Sequence, residues 1–271
     1  MAARMKQSVK DFLLQTSPRL AHALQRASAR RHVRRLERRI GLTRVRDAFV
    51  ARHGLVVLDG PFRGMRYVDR AVGSMAIPKL VGSYEAELHD WVHAILRRGY
   101  RRVIDVGCAE GYYAVGLARE LPGGQVLAFD TDPLARRLCA AMARLNGVDG
   151  RVQVFGRCDA TRLNETLNSG TLVVSDCEGF EAELLDPAVA PRLIAADVLV
   201  ELHDALRPGV TDLLLQRFRP THECAVVGVS PRDPSGYAST SFLPPDDQRL
   251  AVSEMRSGDQ RWAFLTSRSA A

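Results

Sequence analysis

The chain of 271 residues contains no run of about eighteen uncharged apolar residues, and its N-terminus lacks the apolar stretch of a secretion signal. A soluble protein is the expectation. Cysteine is scarce: Cys108, Cys139, Cys158, Cys177 and Cys224 are widely spaced, odd in number and form no CxxC pair. That spacing excludes a disulfide framework and a thiolate metal knot, and points to a reducing, cytoplasmic setting. The dinucleotide fingerprint G-x-G-x-x-G is missing as well. Where it would begin, the chain reads Asp105-x-Gly107-x-x-x-Gly111, with Ala109 at the position that needs glycine. Internal repeats and low-complexity segments are absent too.

What the chain does have is an uneven charge. Residues 1–53 hold 14 of the 38 Lys and Arg against three acids, Asp11, Glu37 and Asp47, so this leader carries +11 and the remainder −4. Positive charge confined to the leader argues against a nucleic-acid groove running over the core. Phe12, Leu13, Leu20, Leu24, Val33, Leu36 and Ile40 recur at roughly helical spacing, interrupted at Ser17-Pro18. Arg30, Arg31, Arg34, Arg35, Arg38 and Arg39 crowd the polar side of the second piece. Such a helix suits an anionic membrane surface, an acidic partner or, less well, RNA, through residues 1–46; a solvated leader is the plainer alternative. The expected organisation is an Arg-rich helical leader over 1–53, a hairpin and helix over 54–100, and a ligand-binding domain over 101–271.

That domain is organised around Arg101 to Glu120. Val103, Ile104 and Val106 form a buried strand, Gly107 and Gly111 mark a turn, and Ala114, Val115, Leu117 and Ala118 give a helix its apolar surface. A strand, a glycine turn and a helix N-terminus let backbone approach a ligand closely and face it with unpaired amides. The same pattern is also how an ordinary tight connection is made. Asp105 at the strand end disfavours a pyrophosphate and suits a ligand bearing an ammonium group.

Upstream, Leu55 to Val68 reads as two short strands around Gly60-Pro61, and Gly82 to Leu96 as a helix with Leu88, Trp91, Val92 and Ile95 on one face. Glu85 near its start either favours the positive helix end or reaches a cofactor lying over the sheet. A second strand, Gln125 to Pro133, ends in Asp130, Thr131 and Asp132. Asp130, 25 residues beyond Asp105, stands where a carboxylate accepts ribose hydroxyls. Asp132-Pro133 caps the next helix. A third strand begins at Arg151 and runs to a turn with Cys158 and Asp159, where Asp159 contacts an adenine amino group, caps the helix at Thr161 to Leu167, or does both.

The fourth strand segment, Thr171 to Leu185, crowds Asp176, Glu178 and Glu181 near its carboxyl end, a costly arrangement unless a cation, donor or proton offsets it. The fifth, Ala196 to Asp204, ends in Glu201, His203 and Asp204, and a His beside carboxylates is a plausible base for a hydroxyl. A helix over Thr211 to Phe218, a strand over Glu223 to Ser230, a loop from Pro231 to Gln248 that is a lid or a disordered excursion, and a last strand, Arg261 to Ser267, complete the chain.

The alternation predicts an α/β fold with a doubly wound, mostly parallel seven-stranded sheet. On Gly82-Ser83-Tyr84-Glu85, IDVGCAEGYY, SDCEGFEAELL and VLVELHD, the chain resembles the FkbM family of class I S-adenosylmethionine-dependent methyltransferases over roughly residues 82 to 204. The resemblance implies that Asp105, Gly107 and Gly111 hold the methionine part of S-adenosylmethionine, Asp130 the ribose and Asp159 the adenine. Glu85, Cys108, Thr131 and Cys158 complete the expected cofactor-binding set. Asp176 stands at the cofactor and in the catalytic set with Glu201 and His203. His203 would be the base, while Asp176, Glu178 and Glu201 orient the acceptor or hold a divalent cation such as Mg²⁺. The turn departs from the family pattern at Cys108 and Glu110, and Val174-Ser175 replaces its usual lysine. The leading expectation is O-methylation of a glycan or other small-molecule hydroxyl. Alternatives are an RNA or protein N-methyltransferase recruited by the leader, or a membrane-peripheral protein that keeps the cofactor pocket without turnover.

Overall fold

The computed structural model describes residues 35–256 and 260–270. The chain divides into two compact units, residues 1–51 and 52–271. Residues 35–39 are helical, and helix α1, Leu42–His53, follows Gly41 and runs past residue 51. The rest of the expected leader, including Phe12 to Val33 and Arg30, Arg31 and Arg34, lies outside the described residues. Among the described residues no helix is long and apolar enough to cross a membrane.

The second unit opens with a ribbon rather than two full strands. Val56 and Arg66 form a single antiparallel bridge, because the left-handed Gly60 and Gly64 turn the chain too tightly for a longer ladder. Helices α2 (Ala76–Val81) and α3 (His89–Arg98) come next. α3 starts later than the sequence pattern suggests: Gly82 at φ 92° and Glu85 at φ 48° are both left-handed and cannot continue a right-handed helix.

The α/β alternation then runs β1 (Arg102–Val106), α4 (Tyr112–Glu120), β2 (Gln125–Phe129), α5 (Pro133–Leu145), β3 (Val152–Phe155), α6 (Ala160–Thr166), β4 (Thr171–Ser175), α7 (Glu181–Leu184), β5 (Asp197–Leu202), α8 (Val210–Phe218), β6 (His222–Gly228), α9 (Pro245–Val252) and β7 (Arg261–Ser267). The strand order is β3-β2-β1-β4-β5-β7-β6. Neighbours from β3 to β5 are parallel, while β7 lies antiparallel between β5 and β6. β4 and β5 are buried along their whole length, as a parallel strand covered on both faces must be. Ile104, Val106, Val173, Val198 and Val200 belong to one core cluster with Leu163, Leu184, Leu193, Leu214 and Phe218. α4 packs against β1 and β2.

Two segments differ from their sequence reading. The fourth strand stops at Ser175, since Glu178 and Gly179 are both left-handed and turn the chain into α7. The stretch Pro231 to Gln248 is not a disordered excursion: it forms two 3₁₀ turns and the start of α9, whose first residue, Pro245, suits a helix N-terminus.

Candidate functional site

The chain leaves β1 toward β2 and β3, then returns to β4 on β1's other side, so the carboxyl ends of β1 and β4 flank a topological switch point. Ligands of open α/β sheets bind in that crevice. The register brings the loops out at one level, with Val106 opposite both Phe129 and Ser175. A cavity of about 690 Å³ opens there. Gly107 lines it at φ 90°, and a Cβ at this position would stand 1.7 Å from the carbonyl oxygen of Asp176. Its glycine is therefore required by the crossing of the β1 and β4 loops.

Asp105, Cys108, Asp130, Thr131, Cys158, Asp176, Glu201 and His203 also line the cavity. Asp130 is tied to the glycine turn: Oδ2 accepts the Ala109 amide at 2.9 Å and Oδ1 the Asp132 amide at 2.7 Å. Each oxygen keeps a lone pair for a further donor. Burial raises its carboxyl above the ordinary value against the pull of these amides. Burial, then the Asp176 and Asp130 charges, push Asp105 up to about 8. Burial, with Asp159 adding, pushes the Cys158 thiol up to about 12.

Three expected site residues do not reach the cavity. Asp159 caps α6, accepting the Arg162 amide at 2.9 Å. Gly111 faces α5, where an added Cβ would stand 2.9 Å from the Cys139 sulfur. Glu85 is 1 % exposed behind the wall, with its carboxylate engaged by Arg256 and the Tyr113 hydroxyl. Burial, with Glu254 and Asp176 adding, pushes it up to about 7 although Arg256 opposes.

On the other side of the cavity His203 is the hub of four carboxylates. Its Nδ1 lies 2.7 Å from Glu181 Oε1, and its Nε2 lies 3.5 Å from Asp176, 3.6 Å from Glu201 and 3.8 Å from Glu178. Burial works to lower the His203 pKa, but the Glu181 bond and the Asp176 and Glu178 charges leave it raised. Burial, then Asp176 and Glu85, push Glu201 up to about 10 in spite of Arg256 at 2.8 Å. Donor atoms of Asp176, Glu178 and His203 lie within 4.8 Å of one another, which raises the divalent cation again. We assign no metal to them: Glu178 is largely exposed, and Arg256 already bonds Glu201 beside them.

Sequence reasoning missed the cationic half of the site. Arg256, from the segment between α9 and β7, bonds Glu85, Glu201 and Glu254 and lies 5.5 Å from the Tyr84 ring centroid. No motif marks it. Lys79 on α2 lines the cavity beneath Tyr84, its Nζ 2.7 Å from Glu110 in the glycine turn. Glu110, conspicuous as a departure in that turn, also accepts the Tyr67 hydroxyl at 2.6 Å and the Val72 amide at 2.8 Å. It thereby pins residues 67–79 over the turn.

A sheet ordered 3-2-1-4-5-7-6 with strand 7 reversed, and its ligand cavity at the β1/β4 switch point, is the class I methyltransferase arrangement. No family model matches the chain. Over 98 residues it is 38 % identical to the ribosomal protein L11 methyltransferase of Pelotomaculum thermopropionicum, which is 36 % of this chain and 30 % of that protein. The match thus spans under a third of that relative's length. Among solved structures, the chain is similar to the O-methyltransferase TomG of Streptomyces achromogenes in complex with SAM. There the identity is 16 % and the TM-score 0.45, over 68 % of this chain and 81 % of the other. An O-methyltransferase from Bacillus cereus in complex with SAH gives 13 % identity and a TM-score of 0.46, over 65 % and 78 %. The fold assignment rests on the strand order itself.

Proposed function

We propose that the chain is an S-adenosylmethionine-dependent methyltransferase of the FkbM kind that methylates a hydroxyl on a sugar or other small molecule. The observation that carries this reading is the excess of buried carboxylates along the cavity. Asp105, Asp130 and Glu201 all have pKa values raised by burial first and by neighbouring carboxylates second, so the wall favours a ligand that brings positive charge. A pyrophosphate would meet Asp105 and Asp176 at the same turn. S-adenosylmethionine carries an ammonium and a sulfonium, and its adenosine ribose matches Asp130 at the end of β2.

In this reading Asp105, Gly107 and Cys108 hold the methionine part, Asp130 and Thr131 the ribose, and Cys158 borders the adenine. When bound, the cofactor supplies an electrophilic methyl group and departs as a neutral thioether, the broken carbon–sulfur bond leaving its pair on sulfur. Asp176 and Glu201 orient the acceptor by accepting from its hydroxyls, which positions one oxygen for in-line attack. His203 Nε2 receives that hydroxyl's proton as the oxygen lone pair forms the new carbon–oxygen bond. The base form grows as pH rises through the raised His203 pKa.

One observation favours a second reading, methylation of a protein: the partial match to a ribosomal protein methyltransferase. Tritiated methyl transfer from S-adenosylmethionine to separate pools of glycan, RNA and ribosomal protein distinguishes the two. Label is expected in the glycan pool, with or without residues 1–46. Label in ribosomal protein or RNA that disappears with the leader would replace the hydroxyl reading.

A further inference from the structure

Glu181 opens α7 with its side chain fully buried, and it is not among the residues that line the cavity. Its Oε1 accepts the Cys177 amide at 3.1 Å and lies 2.7 Å from His203 Nδ1. An ionised carboxylate only accepts hydrogen bonds, so the ring must present a proton at Nδ1. Burial disfavours the Glu181 charge, but the bond to His203 and the Cys177 amide hold its carboxyl below the usual range, which keeps it ionised. In the neutral ring the Nε2 lone pair then points toward Asp176, Glu178 and Glu201, at 3.5 to 3.8 Å. Those separations are too long for hydrogen bonds, so Nε2 has no close partner among them.

We propose that Glu181 is a positioning residue for His203. It fixes the ring's tautomer and aim so that Nε2 takes the acceptor hydroxyl's proton, and it offsets the imidazolium that forms. The inference rests on the hydroxyl-methylation reading and extends it to a residue that never touches the acceptor. A carboxylate behind a His base does the same work in hydrolytic triads, where it orients the ring without itself taking the proton. The other charged groups around the ring come from the β4 turn (Asp176 and Glu178), β5 (Glu201) and the segment before β7, where Arg256 bonds Glu201. None of them touches Nδ1, so the Nδ1 proton is set by Glu181 alone within this group.

Nitrogen-15 NMR of the intact, histidine-labelled protein tests this, with the His203 signals among the seven histidines identified by their loss in His203→Gln. The neutral wild-type ring should carry its proton on Nδ1 and titrate above the ordinary value. Glu181→Gln keeps an acceptor oxygen but removes the charge, so Nδ1–H should persist while proton affinity falls on the order of tenfold. A wild-type ring protonated on Nε2, or a titration that Glu181→Gln leaves in place, would overturn the proposal. The wild-type tautomer decides the matter even if the variant does not fold. Calorimetry with S-adenosylhomocysteine on the wild type separates the two failures: no binding removes the methyltransferase reading, whereas the ring titration reports on Glu181.

Discussion

Lys79 Nζ and Glu110 Oε1 meet at 2.7 Å with both side chains buried, joining α2 to the glycine turn that follows β1. Breaking a buried ion pair from one side leaves a stranded charge and costs about 3–5 kcal/mol, whereas replacing both partners costs much less. Lys79→Met should destabilise by roughly 3 kcal/mol, and Lys79→Met with Glu110→Gln should recover part of that loss. Chemical denaturation of the two variants checks the order. A single variant as stable as the wild type would show that the pair does not hold the turn.

The crossing of the β1 and β4 loops gives a second prediction. Gly107→Ala would drive a Cβ to 1.7 Å from Asp176's carbonyl in a left-handed backbone, so the loops must part. Overpacking and φ strain together should cost about 3 kcal/mol or more. Gly147 is left-handed too, at φ 68°, but has open space around it, and Gly147→Ala should lose only about 1 kcal/mol. Thermal melts of the pair separate the steric contribution from the backbone one. Equal losses would mean that the close approach is not maintained in solution.

Stability should fall with rising pH. Glu85, Asp105 and Glu201 have folded pKa values raised to about 7, 8 and 10. A carboxyl that binds its proton more tightly when folded contributes stability that is complete below its unfolded pKa and lost as pH rises through the folded one. The raised His203 acts in the same sense, its contribution complete below about 6.5. Without ligand, Tm should therefore decline between about pH 5 and pH 9. S-adenosylmethionine should raise Tm more at the alkaline end, where the wall is ionised, and the uncharged sulfur of S-adenosylhomocysteine should do so less. A ligand-free Tm that climbs across this range would contradict the raised carboxyls.

The parts of the fold that could be read in advance are those in which one local pattern decides the outcome. β1, β2, β4 and β5 are apolar runs that end in acids, and the register of a parallel sheet carries those ends to one level. Asp105, Asp130, Asp176, Glu201 and His203 were legible for that reason. Asp159 was ambiguous, because a carboxylate before a helix satisfies the cap and the ligand pattern equally, and here it takes the Arg162 amide. Glu85 and Gly111 stand away from the cavity for another reason: Arg256, which engages Glu85, comes from a segment with no local signal, and the packing of α5 that sets Cys139 against Gly111 is a long-range contact. Arg256 and Lys79 are long-range partners of the acids, and pairing between residues 31 or 171 apart leaves no periodic trace.

The central claim is that the β1/β4 crevice grips a sulfonium nucleoside through Asp105 and Asp130. Calorimetric titration with S-adenosylhomocysteine tests it most directly, on the wild type, Asp130→Ala and Asp159→Ala. The account predicts saturable one-site binding by the wild type. Losing the charge-assisted ribose bonds at Asp130 should weaken it about tenfold or more, while Asp159→Ala, which removes only a helix cap, should bind as the wild type does. A folded wild-type protein that does not bind, or an Asp130→Ala variant with undiminished affinity, would contradict it.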